Sequence, residues 1–144
     1  MASITLVSFK GVTAKARDAR RLAEISQIVK ALEVYYNTYN QYPPNTDNDC
    51  AGWDSGYMTG DPFIKPLIDS GVTQQVPIDP VSKPSDPCGW GYAYYRYSPG
   101  NDSCDPSRGS YYVLGIRDLE TSGRPYKDSP GWSCANRNWQ NEFD

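Results

Sequence analysis

Residues 22–39 read LAEISQIVKALEVYYNTY, and within them Leu22, Ile25, Val29, Leu32, Tyr36 and Tyr39 recur at steps of three and four. That spacing puts side chains on one face of an α-helix, because about 3.6 residues complete a turn. Winding the stretch brings Ile28 and Tyr35 onto the same stripe, while Ser26, Gln27, Lys30, Glu33, Asn37 and Thr38 fall on the rest of the surface. The stripe needs a cover from residues downstream. Toward the N-terminus the positions that would continue it hold Asp18 and Arg21, so the apolar face is expected to fail just before Leu22. Ala14, Lys15, Ala16, Arg17, Ala19 and Arg20 are nevertheless good helix formers. The expectation is a helix that runs N-terminally past the body it packs on.

Downstream, Pro43 and Pro44 stop the helix, since proline lacks a donor and its predecessor is pushed out of the α region. A polar loop, Asn45 to Asp49, leads into Cys50. Asp61 as N-cap and Pro62 at the first helical position signal a short second helix, with Phe63, Ile64, Leu67 and Ile68 on its apolar side. Pro66 keeps it short and Gly71 closes it. From Gly91 to Ser98, Tyr92, Tyr94 and Arg96 alternate with Ala93, Tyr95 and Tyr97, the period of a strand, and Pro99 and Gly100 turn it. Tyr111 to Leu119 repeats the pattern, with Tyr112, Leu114 and Ile116 opposite Tyr111, Val113 and Arg117. The tail, with Trp132, Cys134 and Trp139, offers a third short strand at most. The fold class expected is α+β: a long N-terminal helix packed on a small antiparallel sheet, in one loop-rich domain over residues 1–144. Residues 1–42 form the helix with a protruding basic neck, and residues 43–144 the globular head.

Cys50, Cys88, Cys104 and Cys134 all lie in the loop-rich part, no pair forms a CxxC, and the chain has no histidine. Zinc is disfavoured by that pattern. An even count without metal spacing reads as two disulfides and an oxidising compartment, with three connectivities open. Cys88 and Cys104 flank the first strand and its turn, which favours Cys88–Cys104 with Cys50–Cys134 over the other two.

The formal net charge of -3 hides a segregation. Residues 1–40 carry six Lys or Arg against three acids, a balance of +3, and residues 41–144 carry eight against fourteen, a balance of -6. An acidic body disfavours non-specific nucleic-acid binding, and no specific nucleic acid is expected as a partner. Without histidine, and with no base at a recognisable spacing from a Ser or Cys, the chain is not read as an enzyme. Lys15, Arg17, Arg20 and Arg21 form the basic neck, where Asp18 to Arg21 and Arg20 to Glu24 are spaced for helical ion pairs. Ahead of the neck, Ile4, Leu6, Val7 and Phe9 are apolar but too few to span a bilayer, which needs about 20 such residues. Ala2 to Phe9 reads as the downstream end of a longer apolar helix.

Taken together, AKARDARRLAEI at 14–25, ALEVYYNTYNQYPP at 31–44, the short helix before VPIDP at 76–80 and YYVLGIRDLE at 111–120 resemble the type IV pilins and the major pseudopilins of type II secretion, here as an N-terminally truncated member. The resemblance implies a long N-terminal helix, a small antiparallel sheet wrapped on its C-terminal half, and a loop region held by a disulfide or calcium. It also implies polymerisation through the N-terminal helices, so that the chain's partners are copies of itself, the pilus or secretion assembly machinery, and the inner membrane through an apolar segment. The location implied is extracytoplasmic, anchored in the inner membrane before assembly. No cofactor is expected. Calcium is an open possibility at Asp118, Glu120 and Asp128, where Arg124 and Lys127 intrude, or at Asn101, Asp102 and Asp105.

Two function classes follow. One is a structural filament subunit, whose neck cations meet acidic heads of neighbouring subunits. The other is an extracytoplasmic binding module that does not polymerise, in which Trp53, Trp90, Tyr92, Tyr94, Tyr95 and Trp132 would form a surface for sugars or protein.

Overall fold

Periodicity at 22–39 extends into one continuous helix, α1, over Ser3–Tyr39. The computed structural model describes residues 3–46, 50–56, 62–81 and 88–121, with side chains of α1 from Gly11 onward. At about 1.5 Å per residue α1 is about 55 Å long. It ends at Asn40, which turns left-handed (φ 53°) and donates its N–H to the Tyr36 carbonyl at 2.7 Å, a helix stop that asparagine tolerates better than most residues. Ile25, Ile28, Leu32 and Tyr35 are buried, and Leu22, Val29 and Tyr36 pack half-buried against them. Tyr39, expected on the core face, is 45% exposed. It stands past the edge of the cover and rests its ring on Tyr35, with centroids 4.5 Å apart.

The cover is a three-stranded antiparallel sheet of β1 (Asp54–Ser55), β2 (Tyr92–Tyr97) and β3 (Tyr111–Ile116), in that order. Its register pairs Tyr92 with Ile116, Tyr97 with Tyr111 and Asp54 with Tyr94. Alternation then sends Tyr92, Tyr94, Tyr112, Leu114 and Ile116 into one core with the helix stripe, as the two strand patterns predict. Ala93, Tyr111 and Val113 face the other way, in a second cluster with Cys104. The third strand comes from the loop after α1. The tail residues Trp132, Cys134 and Trp139 lie outside the described residues.

A second helix, α2 (Lys65–Asp69), starts later than its sequence signals suggest. Pro66 sits in its first turn, and Ile64 precedes it in left-handed conformation (φ 46°). Ile64 is held there because its N–H donates to Asp54 Oδ2 at 2.9 Å, a cap delivered from β1. Asp61 lies outside the described residues. Phe63, Ile64 and Leu67 are buried in the main core and Ile68 is half-buried. Gly71 closes the helix at φ 74°, donating to the Ile68 carbonyl at 2.9 Å. Gly56 is needed for close approach, since a Cβ there would lie 2.9 Å from the Phe63 ring.

The disulfide pairing differs from the favoured one: Cys50 is bonded to Cys88, with Cα atoms 5.3 Å apart. That excludes both Cys50–Cys134 and Cys88–Cys104. The reason is a tight turn at 50–53, in which Cys50 and Trp53 exchange backbone hydrogen bonds of 3.3 and 3.1 Å. The turn folds Cys50 back beside β1, where its sulfur accepts a hydrogen bond from Ser55 Oγ at 3.6 Å. Ser55 pairs with Ala93 in β2, so the chain entering β2 brings Cys88 to the same place. Cys104 is also disulfide-bonded.

Candidate functional site: the charged junction of helix and head

Asp18 and Arg21 continue the α1 stripe by one turn each, and the head follows them. Both are buried, Arg21 completely and Asp18 to 6% exposure. Arg21 donates from Nε and Nη2 to the two carboxylate oxygens of Asp79 at 2.7 and 3.0 Å. Its Nη1 donates to Asp18 Oδ1 and Glu120 Oε1, each at 2.7 Å. One face of the guanidinium lies over Trp90, 5.0 Å from the ring centroid. Three segments are thereby tied to one side chain: α1 through Asp18, the connector after α2 through Asp79, and the loop after β3 through Glu120. A guanidinium suits this task because its donors form a rigid planar fork.

Asp18 extends the junction. Its carboxylate accepts the N–H of Glu120 at 3.0 Å, and the N–H and hydroxyl of Thr121 at 2.8 and 2.7 Å. Arg17 donates to both oxygens of Glu120, through Nε at 2.7 Å and through Nη2. On the other side Arg20 donates to Glu24 at 2.7 Å, and Glu24 accepts the hydroxyl of Tyr92 from β2. The Asp18–Arg21 and Arg20–Glu24 pairs are the two that their spacing predicts.

Electrostatics follow from this geometry. Burial opposes the charge on Arg21, but hydrogen bonds and charge from Asp79, Glu120 and Asp18 outweigh it, and the net shift is further upward. Hydrogen bonds from Arg17 lead in holding the Glu120 carboxyl down at about 2, against burial and with help from Arg21. For Asp18, burial pulls upward, and the bonds from the Glu120 N–H, the Thr121 hydroxyl and Arg21 turn the net shift downward. Burial, with the bond to Glu24, pushes the Tyr92 hydroxyl well up.

The basic neck is thus corrected. Arg21 is a core residue, and Arg17 and Arg20 have partners within their own chain. Lys15 is exposed and has no ion-pair partner among the described residues. Around it Gly11, Val12, Thr13 and Ala16 are exposed and Ala14 is half-buried, with Val12 at 65%. Val12, Ala16, Ala19 and Ala23 follow one another at helical spacing along an exposed side of α1.

The aromatic ligand surface does not assemble as a single face. Trp90, Tyr92 and Tyr94 are buried, with the Tyr94 hydroxyl donating to the Pro43 carbonyl at 2.7 Å. Trp53 and Tyr95 lie half-buried on the opposite face of the sheet, and Trp132 lies outside the described residues. Of the acids considered for calcium, Glu120 is engaged by two arginines, Asp102 by the Tyr111 hydroxyl and Asp105 by Ser107. Asp128 lies outside the described residues, among which no group of three or more potential ligands comes together. An open groove of about 220 Å³ runs between α1 and the chain after α2, lined by Ile28, Ala31, Leu67, Val76 and Pro77 among others. Among the described residues no helix is long and apolar enough to cross a membrane.

No protein-family model, curated protein or solved structure matches the chain.

Proposed function

We propose that this protein is a structural subunit of an extracytoplasmic filament, of the type IV pilus or type II secretion pseudopilus kind, assembling through the N-terminal part of α1. The observation that carries this reading is that, among the described residues, α1 outruns its head. Ser3–Ala16 precedes the first helix residue engaged in the ion cluster, Arg17, and covers about 21 Å of helix. A helix that long finds little stability in isolation and is better explained by neighbours that pack on it. The small residues Ala16, Ala19 and Ala23 let another helix approach closely, and Val12 adds apolar area.

The charged junction has a role in the same reading. A subunit held by its helix must pass load from helix to head, and Arg21 ties the base of the helix to two head segments at once. Apolar contact between helices supplies the affinity for other copies. The assembly machinery and the inner membrane would engage the chain through an apolar segment ahead of Gly11. The Cys50–Cys88 bond agrees with an oxidising compartment.

Immunogold electron microscopy of cells producing the protein tests this. Gold along filaments is expected, and protein found only as dispersed monomers would overturn the proposal.

A further inference from the structure

The loop that joins β2 to β3 opens with a type II turn, in which Pro99 takes the second position and Gly100 the third at φ 81° and ψ -7°. The Asn101 N–H closes it by donating to the Ser98 carbonyl at 3.2 Å. The Asn101 carbonyl in turn accepts the Cys104 N–H at 3.0 Å, and the Tyr111 hydroxyl reaches both that carbonyl at 3.3 Å and Asp102 Oδ2 at 3.1 Å. The main chain of Asn101 is therefore held on both sides. Its carboxamide is not: it makes no hydrogen bond among the described residues, nor does the Ser103 hydroxyl, and residues 101–103 are all exposed.

Asn101, Asp102 and Ser103 read Asn-x-Ser with no proline between, and no other asparagine of the chain has Ser or Thr two places on. That is the acceptor pattern of N-linked glycosylation, a modification of surface loops in chains exported from the reducing cytosol, and the Cys50–Cys88 bond agrees with such export. We infer that Asn101 is an N-glycosylation site, taking an oligosaccharide from a lipid-pyrophosphate donor by way of an oligosaccharyltransferase. Nδ2 of Asn101 bonds to the anomeric carbon of the first sugar as the bond from that carbon to the pyrophosphate oxygen breaks. The leaving oxygen keeps the electron pair, and one Nδ2 proton passes to a base of the transferase. Nothing is oxidised or reduced. The transferase reads the Ser103 hydroxyl together with the carboxamide, and neither group has to give up a partner to be read. A bulky, solubilising glycan on Nδ2 likewise displaces no contact, because the turn is held through the Asn101 main chain and the Asp102 carboxylate. The site stands whether or not the protein forms filaments.

Mass spectrometry of the full-length protein purified from its own cells tests this. After reduction, trypsin should release residues 97–108 between Arg96 and Arg108, carrying Asn101 and Ser103 on one peptide. That peptide is expected to carry an added sugar mass, which fragmentation by electron transfer places on Asn101. Ser103→Ala keeps the asparagine and should lose the modification, whereas Ser103→Thr should retain it. An unmodified peptide, a sugar on the oxygen of Ser98, Ser103 or Ser107, or a sugar that persists in S103A would each overturn the proposal.

Discussion

Between Leu22 and Tyr35, α1 meets the head through Ile25, Ile28 and Leu32, whereas one to two turns earlier Asp18 and Arg21 meet it through carboxylates, amides and a guanidinium. Both stretches lie on the same side of one helix and both are buried, yet they fix different things. Apolar contact scales with area and tolerates small rotations and slides. The Arg21 cluster does not, because its bidentate bond to Asp79 and its bonds to Asp18 and Glu120 are satisfied together in only one rotation and register of the helix. Buried ion clusters often contribute little net stability over an apolar replacement, while breaking one leaves a charge stranded. The apolar stretch therefore supplies the strength of the helix–head contact and the charged stretch its geometry.

Substitutions at the two stretches sharpen this contrast. Arg21→Ala leaves the fully buried Asp79 carboxylate without its cation, while Asp18 keeps its bonds from Glu120 and Thr121, and urea unfolding should show a loss of about 3–5 kcal/mol. Arg21→Lys should recover only part of it, since one ammonium cannot reproduce the fork. In the apolar stretch Leu32→Ala should cost about 2–5 kcal/mol as a large-to-small core change. A loss below about half a kcal/mol at Leu32, on the same scale, would show that the sheet does not rest on this stripe.

Acid should separate the stretches further. The folded carboxyl of Glu120 titrates at about 2, below its ordinary 4.5, so its contribution is complete above 4.5 and is lost as the pH falls toward about 2. Asp18, also lowered, acts in the same direction. The urea midpoint should fall across that window, and Glu120→Gln should flatten the fall. An equal slope in both proteins would mean that the junction does not set the acid response. Smallest of all, Arg20→Ala removes an exposed helical pair with Glu24 and should change stability by about 0.3–0.5 kcal/mol.

The apolar stretch was legible in the sequence because its signal is local. Spacing alone marks Ile25, Ile28, Leu32 and Tyr35, and the alternation at 92–97 and 111–116 marks both long strands and the faces they present. Tyr39 fits the period but lies past the cover, and period says nothing about where a cover ends. The charged stretch was not legible. Asp18 and Arg21 hold the right positions, but their polarity reads as the end of a stripe, and Asp79 and Glu120 stand 58 and 99 residues from Arg21. Only the continued three-residue spacing hinted at it. A two-residue strand such as β1 has no period to read, and the Cys50–Cys88 pairing depends on a turn at 50–53 whose course is set by β1.

These pairings also move the decisive assembly experiment. Arg17→Glu and Arg20→Glu would set like charges against Glu120 and Glu24 within one chain, so a lost filament would not report on contacts between chains. Val12 is 65% exposed on α1 ahead of the junction, outside the ion cluster that joins helix to head. Electron microscopy of cells producing the Val12→Glu protein, paired with urea unfolding of the same protein, tests the helix as an assembly surface. Filaments should be lost or sparse while the unfolding midpoint stays unchanged. Filaments of normal number and form would contradict assembly through this part of α1.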